Sequence, residues 1–118
     1  MSKDDFRIPD YLDHILSAIG RIGKYTDGLT ETGFSNDEKT QDAVVRNFEI
    51  IGEASKNIRE TDAGFAADHP EIPWSLMYRM RNALSHGYYD VDLSVVWRTI
   101  RDDLPGLERR IRELRAGL

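Results

Sequence analysis

The stretch PWSLMYRMRNALSHGYYD, residues 73–90, predicts a helix that ends at a glycine. Pro73 suits the first turn of a helix, because proline lacks an N–H and the first turn leaves its N–H groups unpaired. The apolar residues Trp74, Met77 and Leu84 then recur at helical spacing. Gly87 follows the last of them and predicts the end of the helix.

Two side chains of this stretch, Arg81 and His86, suit chemistry on a phosphate. Arginine stays charged and offers a planar fork of donors to phosphate, whereas histidine both gives and takes protons near neutral pH. A cation beside a proton carrier is what cleavage or transfer of a phosphodiester needs. Asn82 has two equally weighted interpretations, as an amide on the helix surface or as a group that orients the ring of His86.

The rest of the chain also predicts helices. The apolar residues of a first helix recur at steps of three and four from Ile8 to Ile22, and residues 27–33 predict a loop. The sequence from Ser35 to Glu38 has the spacing of a capping box and predicts the start of a long second helix. The buried positions expected in that helix are Val44, Phe48, Ile51 and Ile58.

Residues 61–73 predict a connection with one short helical turn, after which the helix at Pro73 begins. Asp90 or Asp92 can cap a further helix from Leu93. Pro105 predicts either a kink in that helix or a fifth helix capped by Asp103. No segment alternates with the period of a strand, so residues 1–118 predict one all-α domain, an up-and-down bundle of four to five helices.

Composition narrows the classes of function. The chain of 118 residues has no cysteine and three scattered histidines, so we expect no disulfide, no metal site and no cofactor. It has no apolar run of membrane-spanning length and no apolar leader, which predicts a cytoplasmic protein. The net charge is −5, but residues 1–72 carry 8 basic and 15 acidic side chains whereas residues 73–118 carry 8 and 6. The half that contains Arg81 is therefore the basic half, and a local basic cleft fits better than a broad nucleic-acid surface.

Four blocks of the chain resemble a known family. They are the motif of Arg81, His86 and Tyr88, residues 42–54, residues 69–74, and residues 92–97 with 103–105. In the order in which they occur along the chain, they resemble the HepT-like toxins of the HEPN superfamily, over roughly residues 8–114. The resemblance implies a dimeric HEPN-like bundle and a metal-independent ribonuclease. It also implies a minimal nucleotidyltransferase antitoxin as partner, with Tyr88 as the tyrosine that the antitoxin modifies with AMP.

The spacing of Arg81 and His86 leaves two arrangements open. Five residues along a continuous helix turn two side chains about 140° apart. A shared site therefore needs either a helix that ends before His86 or residues from a second subunit, and the resemblance implies the second. Arg46 and Glu49 can support the motif or simply form a surface ion pair, of which the pair is the favoured interpretation. The tryptophans Trp74 and Trp97 are expected in the core or at a dimer contact.

Two functions remain after this reasoning. The first is an endoribonuclease toxin in which His86 transfers protons, Arg81 stabilises charge on the phosphate, and the RNA 2′-hydroxyl is the nucleophile. The alternative is a non-catalytic helical dimer that binds a nucleotidyltransferase or a nucleotide and uses Arg81 only to hold phosphate. Retention of both Arg81 and His86 favours the enzyme.

Overall fold

The computed structural model describes residues 7–86 and 92–118, without the side chains of residues 82, 83, 85 and 86. All secondary structure in these residues is helical. The elements are α1 (Ile8–Thr26), α2 (Glu31–Ser35), α3 (Glu38–Thr61), α4 (Ala63–Asp68), α5 (Trp74–His86), α6 (Leu93–Arg98), a π-helical turn (Thr99–Asp103) and α7 (Leu104–Ala116). The predicted all-α bundle is confirmed.

Helix α1 has the start and the buried stripe that the sequence predicts. Pro9 lies in its first turn, and the Asp10 carboxylate accepts a hydrogen bond from the backbone N–H of Arg7 at 2.9 Å. The helix ends at Thr26, and Gly28 follows with a φ of 76°, which residues with a side chain rarely adopt. The residues buried along its stripe are Tyr11, Leu12, Ile15, Ala18, Ile19 and Ile22.

Two predictions between α1 and α3 are wrong. Part of the expected loop is the short helix α2, which Thr30 caps and which buries Phe34 against Trp97, with the ring centroids 5.4 Å apart. Ser35 is the last residue of α2, so it does not cap the next helix. Asp37 caps α3 instead, because its carboxylate accepts from the backbone N–H and the hydroxyl of Thr40. Asp37, two positions after Ser35, caps α3 because its side chain reaches the N–H groups of the helix that follows it.

The C-terminal rod is α6, the π turn and α7. Asp92 caps α6, accepting from the backbone N–H groups of Ser94 and Val95. Asp103 precedes α7 but makes no capping hydrogen bond and has helical backbone angles, so the predicted cap at this residue is wrong. A π turn precedes α7 instead of a capping residue. In this turn the N–H of Leu104 bonds to the carbonyl of Thr99, five residues back. Pro105 then lies in the first turn of α7. Proline is tolerated in the first turn of a helix because an N–H at that position would have no hydrogen-bond partner within the helix.

Helix α3 lies at the centre of the bundle and packs against both α1 and α5. Helix α7 packs on α1, where Arg115 donates two hydrogen bonds to the Asp13 carboxylate, the shorter at 3.0 Å. Both tryptophans are buried, as expected for core residues. In the part of the chain that the structure describes, no helix is both long enough and apolar enough to cross a membrane.

Candidate functional site

Arg81 leaves α5 from the side that faces α3. Its neighbours one turn before and one turn after on the same stripe, Met77 and Leu84, are both buried. The opposing residue on α3 is Gly52, and a β-carbon built there would overlap the Cβ of Arg81. The arginine therefore belongs to the interface between α3 and α5, and 29% of its side chain is exposed.

The guanidinium of Arg81 pairs with the carboxylate of Glu53 on α3. The distance from Nη2 to Oε2 is 3.2 Å, yet Oε2 accepts no hydrogen bond although this atom is enclosed. The contact is therefore an ion pair without a hydrogen bond. With both side chains partly exposed, such a pair contributes about 0–1 kcal/mol. An incoming phosphate can therefore compete for Arg81 at small cost.

Arg81 and Glu53 line a pocket of about 360 Å³ between α1, α3 and α5. The pocket carries both signs of charge, with Arg46 and Glu49 at one end as an i,i+3 ion pair at 3.6 Å. This confirms the surface-pair interpretation of these two residues, and it also places them beside Arg81. The full lining is His14, Arg46, Glu49, Ile50, Glu53, Ala54, Asn57 and Arg81.

Two buried acceptor atoms in this pocket accept no hydrogen bond from the described residues. Asn57 is 9% exposed and its Oδ1 accepts no hydrogen bond, as is true of Glu53 Oε2 one helical turn earlier. Buried polar atoms normally have partners, because an unpaired one costs about 1–3 kcal/mol. Asn57 Oδ1 therefore favours a ligand with an N–H or O–H group, whereas Glu53 Oε2 already faces the guanidinium of Arg81.

The sequence gives no local sign of His14 or Asn57 as site residues, because they come from helices other than the motif helix. Glu53 and Asn57 are four residues apart on α3 and so lie on one face of that helix. Their place beside Arg81 depends on how α3 packs against α5, which the sequence pattern does not specify. No three His, Asp or Glu side chains among residues 7–86 and 92–118 are grouped to hold a metal ion.

His86 and Asn82 lie on α5, but their side chains are outside the described residues, as is all of Tyr88. Because α5 extends to His86, the helix does not end before this residue. Position 86 lies within about 20° of positions 75 and 79 around the helix axis. Positions 75, 79 and 86 therefore share one stripe of α5, which is outward at the exposed residues Ser75 and Arg79, whereas Arg81 falls on the inward stripe.

Comparison with known proteins identifies a family model and several relatives that match most of the chain. The family model described as Ribonuclease HepT-like matches residues 15–114. A relative from Thermococcus cleftensis, "Probable ribonuclease HepT", is 47% identical over 106 residues, which are 90% of this chain and 94% of the relative. No solved structure matches the chain.

Two relatives from Methanocaldococcus jannaschii are more distant. "Gamma-glutamylcyclotransferase and putative RNase MJ0434" is 39% identical over 97% of this chain and 49% of its own length. "Putative RNase MJ0127" is 35% identical over 97% of this chain and 90% of its own length. With a family match over residues 15–114 and a relative that the chain covers almost completely, this protein belongs to the HepT-like ribonuclease family of the HEPN superfamily.

Proposed function

We propose that this protein is a metal-independent endoribonuclease whose catalytic residues are Arg81 and His86. The observation that carries the proposal is the family match over residues 15–114, which includes both residues. His86 moves a proton to or from the reacting oxygens, a contribution of about 10²–10⁴ in rate. Arg81 stabilises the charge that develops on the scissile phosphate. The 2′-hydroxyl of the RNA is the nucleophile, so the chemistry needs no metal-bound water.

The proposed enzyme is a homodimer with a shared cleft. Position 86 lies about 140° around the axis of α5 from position 81, and α5 includes both residues. One chain therefore directs the two positions to different sides of the helix. A two-fold axis next to α5 would bring Arg81 of one chain towards His86 of the partner, and two-fold dimers are the commonest soluble oligomers. In this proposal Asn82, one turn before His86, orients the imidazole.

The biological role we propose is the toxin of a toxin–antitoxin pair in the cytoplasm, with residues 1–118 as a single domain. The partner is a minimal nucleotidyltransferase that inhibits the toxin by adding AMP to Tyr88. The phosphate of the adduct would pair with Arg81 and occupy the position of the substrate. Intact mass after incubation with the partner, ATP and magnesium tests this step. Wild-type protein should gain one AMP unit, and modification of a Tyr88→Phe variant to the same extent would refute Tyr88 as the acceptor.

The second candidate is a non-catalytic dimer that binds a nucleotidyltransferase or a nucleotide. Pairing of Arg81 with Glu53 favours it, because an arginine held by a carboxylate can serve the packing of α3 against α5 without any chemistry. The enzyme is the stronger candidate because the family model that covers Arg81 is described as a ribonuclease, and the same arginine also lines a pocket.

Cleavage of single-stranded RNA in the presence of EDTA separates the two candidates. Wild-type protein should cleave, and Arg81→Ala and His86→Ala should each lose about 10²–10³ or more in rate. The matched controls are Arg112→Ala, an exposed arginine paired with Glu108, and His69→Ala, a histidine at the end of α4; both should cleave as wild type does. Absence of cleavage by the wild-type dimer, with and without added metal, would favour the binding module.

A further inference from the structure

A second and larger groove, of about 830 Å³, lies between the end of α3, α4 and the start of α5. Small and apolar side chains form most of its surface, among them Ala63, Ala67 and Ile72. Basic side chains from two helices lie along its edges, namely Lys56 and Arg59 from α3 and Arg79 from α5. The groove lies outside the proposed catalytic pocket and shares no lining residue with it.

The groove concentrates positive charge on an acidic protein. Its described lining contains three basic side chains and one acidic one, Glu60, although the whole chain has a net charge of −5. Nζ of Lys56 lies 3.9 Å from Oε1 of Glu60. Neither Arg59 nor Arg79 forms an ion pair with a carboxylate of the described residues. Within the part of the chain that the structure describes, Arg59 donates to the hydroxyl of Ser75, at 3.4 Å. Two exposed guanidinium groups are therefore available to an anion.

The groove also offers an aromatic face. Tyr78 is half-buried in the lining, with Nζ of Lys56 5.8 Å from the centre of its ring. Leu76 beside it is 55% exposed. Basic side chains that follow a groove, together with an aromatic ring on which a base can stack, are the features by which proteins hold single-stranded nucleic acid.

The groove leads towards the proposed catalytic position. Ser75 and Arg79 line it and lie on the outward stripe of α5 that also contains position 86. The rise of a helix places position 86 about 10 Å beyond position 79 along the axis. A strand bound in the groove would therefore continue to His86 within a few nucleotides.

We propose that this groove binds single-stranded RNA next to the cleavage site, with Arg59 and Arg79 on successive phosphates and a base stacked on Tyr78. The proposal rests on the proposed ribonuclease function for its choice of ligand. An acidic amphipathic helix of a protein partner has similar chemistry, but the alignment of Arg79 with position 86 and the aromatic ring beneath Lys56 favour RNA.

The test measures binding separately from cleavage. A fluorescent single-stranded RNA of about 12 nucleotides, within the range of sites known for such grooves, is titrated with the His86→Ala dimer at several salt concentrations. Adding Arg59→Gln and Arg79→Gln to this variant should weaken RNA binding at least tenfold. The slope of log affinity against log salt concentration should fall by about 0.7 for each lost phosphate contact. Lysine at both positions should keep the slope. The matched control is Arg112→Gln on α7, which should change neither quantity.

Tyr78→Leu keeps an apolar side chain of similar bulk and removes the ring. It should weaken RNA binding roughly tenfold without changing the salt slope, because stacking releases no counterions. In an otherwise wild-type enzyme, the glutamine variants should raise KM and leave kcat unchanged. Thermal unfolding of each variant shows that the fold is retained.

The outcomes distinguish this proposal from the proposed function. If the wild-type enzyme cleaves RNA while the glutamine variants keep wild-type affinity and salt slope, the groove is not an RNA site and the nuclease stands. If the variants keep RNA binding but lose the nucleotidyltransferase partner, the groove is a protein interface and this proposal is wrong. If the dimer neither binds nor cleaves RNA, both proposals are wrong.

Discussion

Gly52 and Arg81 touch across the interface of α3 and α5 so closely that position 52 has no room for a side chain. A β-carbon there would overlap the Cβ of Arg81 and would lie 2.8 Å from its Cγ and 3.0 Å from the backbone oxygen of Met77. The backbone contact cannot be relieved by a change of rotamer, so the helices would have to move apart. Gly52 therefore sets the depth at which Arg81 enters the pocket.

Gly52→Ala should destabilise the protein by about 1–3 kcal/mol, the usual cost of overpacking a core. It should also lower RNA cleavage, because the displaced α5 changes the depth at which Arg81 enters the pocket. Urea denaturation and a cleavage assay measure the two effects. Gly20→Ala in α1 is the matched control, since nothing lies within 4 Å of its β-carbon, and it should stabilise by about 0.5–1 kcal/mol. Wild-type stability of Gly52→Ala would contradict the close contact.

Glu53→Gln should lower the KM for RNA several-fold. The substitution removes the charge that competes with phosphate for Arg81, at the cost of an ion pair worth about 0–1 kcal/mol. Steady-state kinetics across a range of RNA concentrations measure the change. Glu108→Gln, which removes the carboxylate partner of Arg112 on α7, should leave KM unchanged. A KM that rises in Glu53→Gln would show that the carboxylate assists substrate binding.

Mixing Arg81→Ala protein with His86→Ala protein should restore part of the lost RNA cleavage. If the site combines Arg81 of one chain with His86 of the partner, a mixed dimer holds one site in which both residues are intact. The two variants are combined, allowed to exchange subunits, and assayed beside each variant alone. Light scattering on the wild-type protein should give about twice the 13.5 kDa mass of the chain. Inactive mixed dimers would contradict a site that combines Arg81 of one chain with His86 of the partner.

Asp37→Asn should change how stability depends on acid. Hydrogen bonds from the backbone and side chain of Thr40 hold the pKa of Asp37 below its ordinary value of 3.8. The carboxylate therefore stabilises the fold above that pH, and its contribution is lost as pH falls through the lower pKa of the folded state. Asparagine caps a helix without titrating. The free energy of unfolding is measured at pH 7 and near pH 3 for both proteins. At pH 7 the two values should be similar, and the fall in stability between pH 7 and pH 3 should be smaller in Asp37→Asn.

The sequence predicted most of the fold because helical spacing is a local signal. Val44 and Phe48 are buried as their spacing indicates, and α5 begins where Pro73 predicts. Errors arose where two local signals competed. Ser35 and Asp37 can both cap a helix, and only the packing of Phe34 against Trp97 decides that a short helix ends first.

The candidate site was less predictable because its contacts join distant parts of the chain. Arg81 was identified from its motif, but its pairing with Glu53 depends on how α3 packs against α5, which no local pattern specifies. The observed end of α5 excludes a helix end before His86, and the second subunit stays a prediction. The role of Tyr88 stays a prediction, because this residue lies outside the described part of the chain.

The hydrogen bonds from Arg115 to Asp13 join residues that are 102 positions apart and so bear on the order of folding. Bringing together two ends separated by about 100 residues costs about 4 kcal/mol of chain entropy, more than the 0–1 kcal/mol that an exposed ion pair returns. The free energy that holds α7 against the bundle must come from its buried side chains. Leu107 and Ile111 are buried, and burial of each contributes about 1.5–3 kcal/mol. Contacts of such long range form slowly. The pairing of α3 with its neighbours along the chain should therefore precede the docking of α7, which completes the bundle.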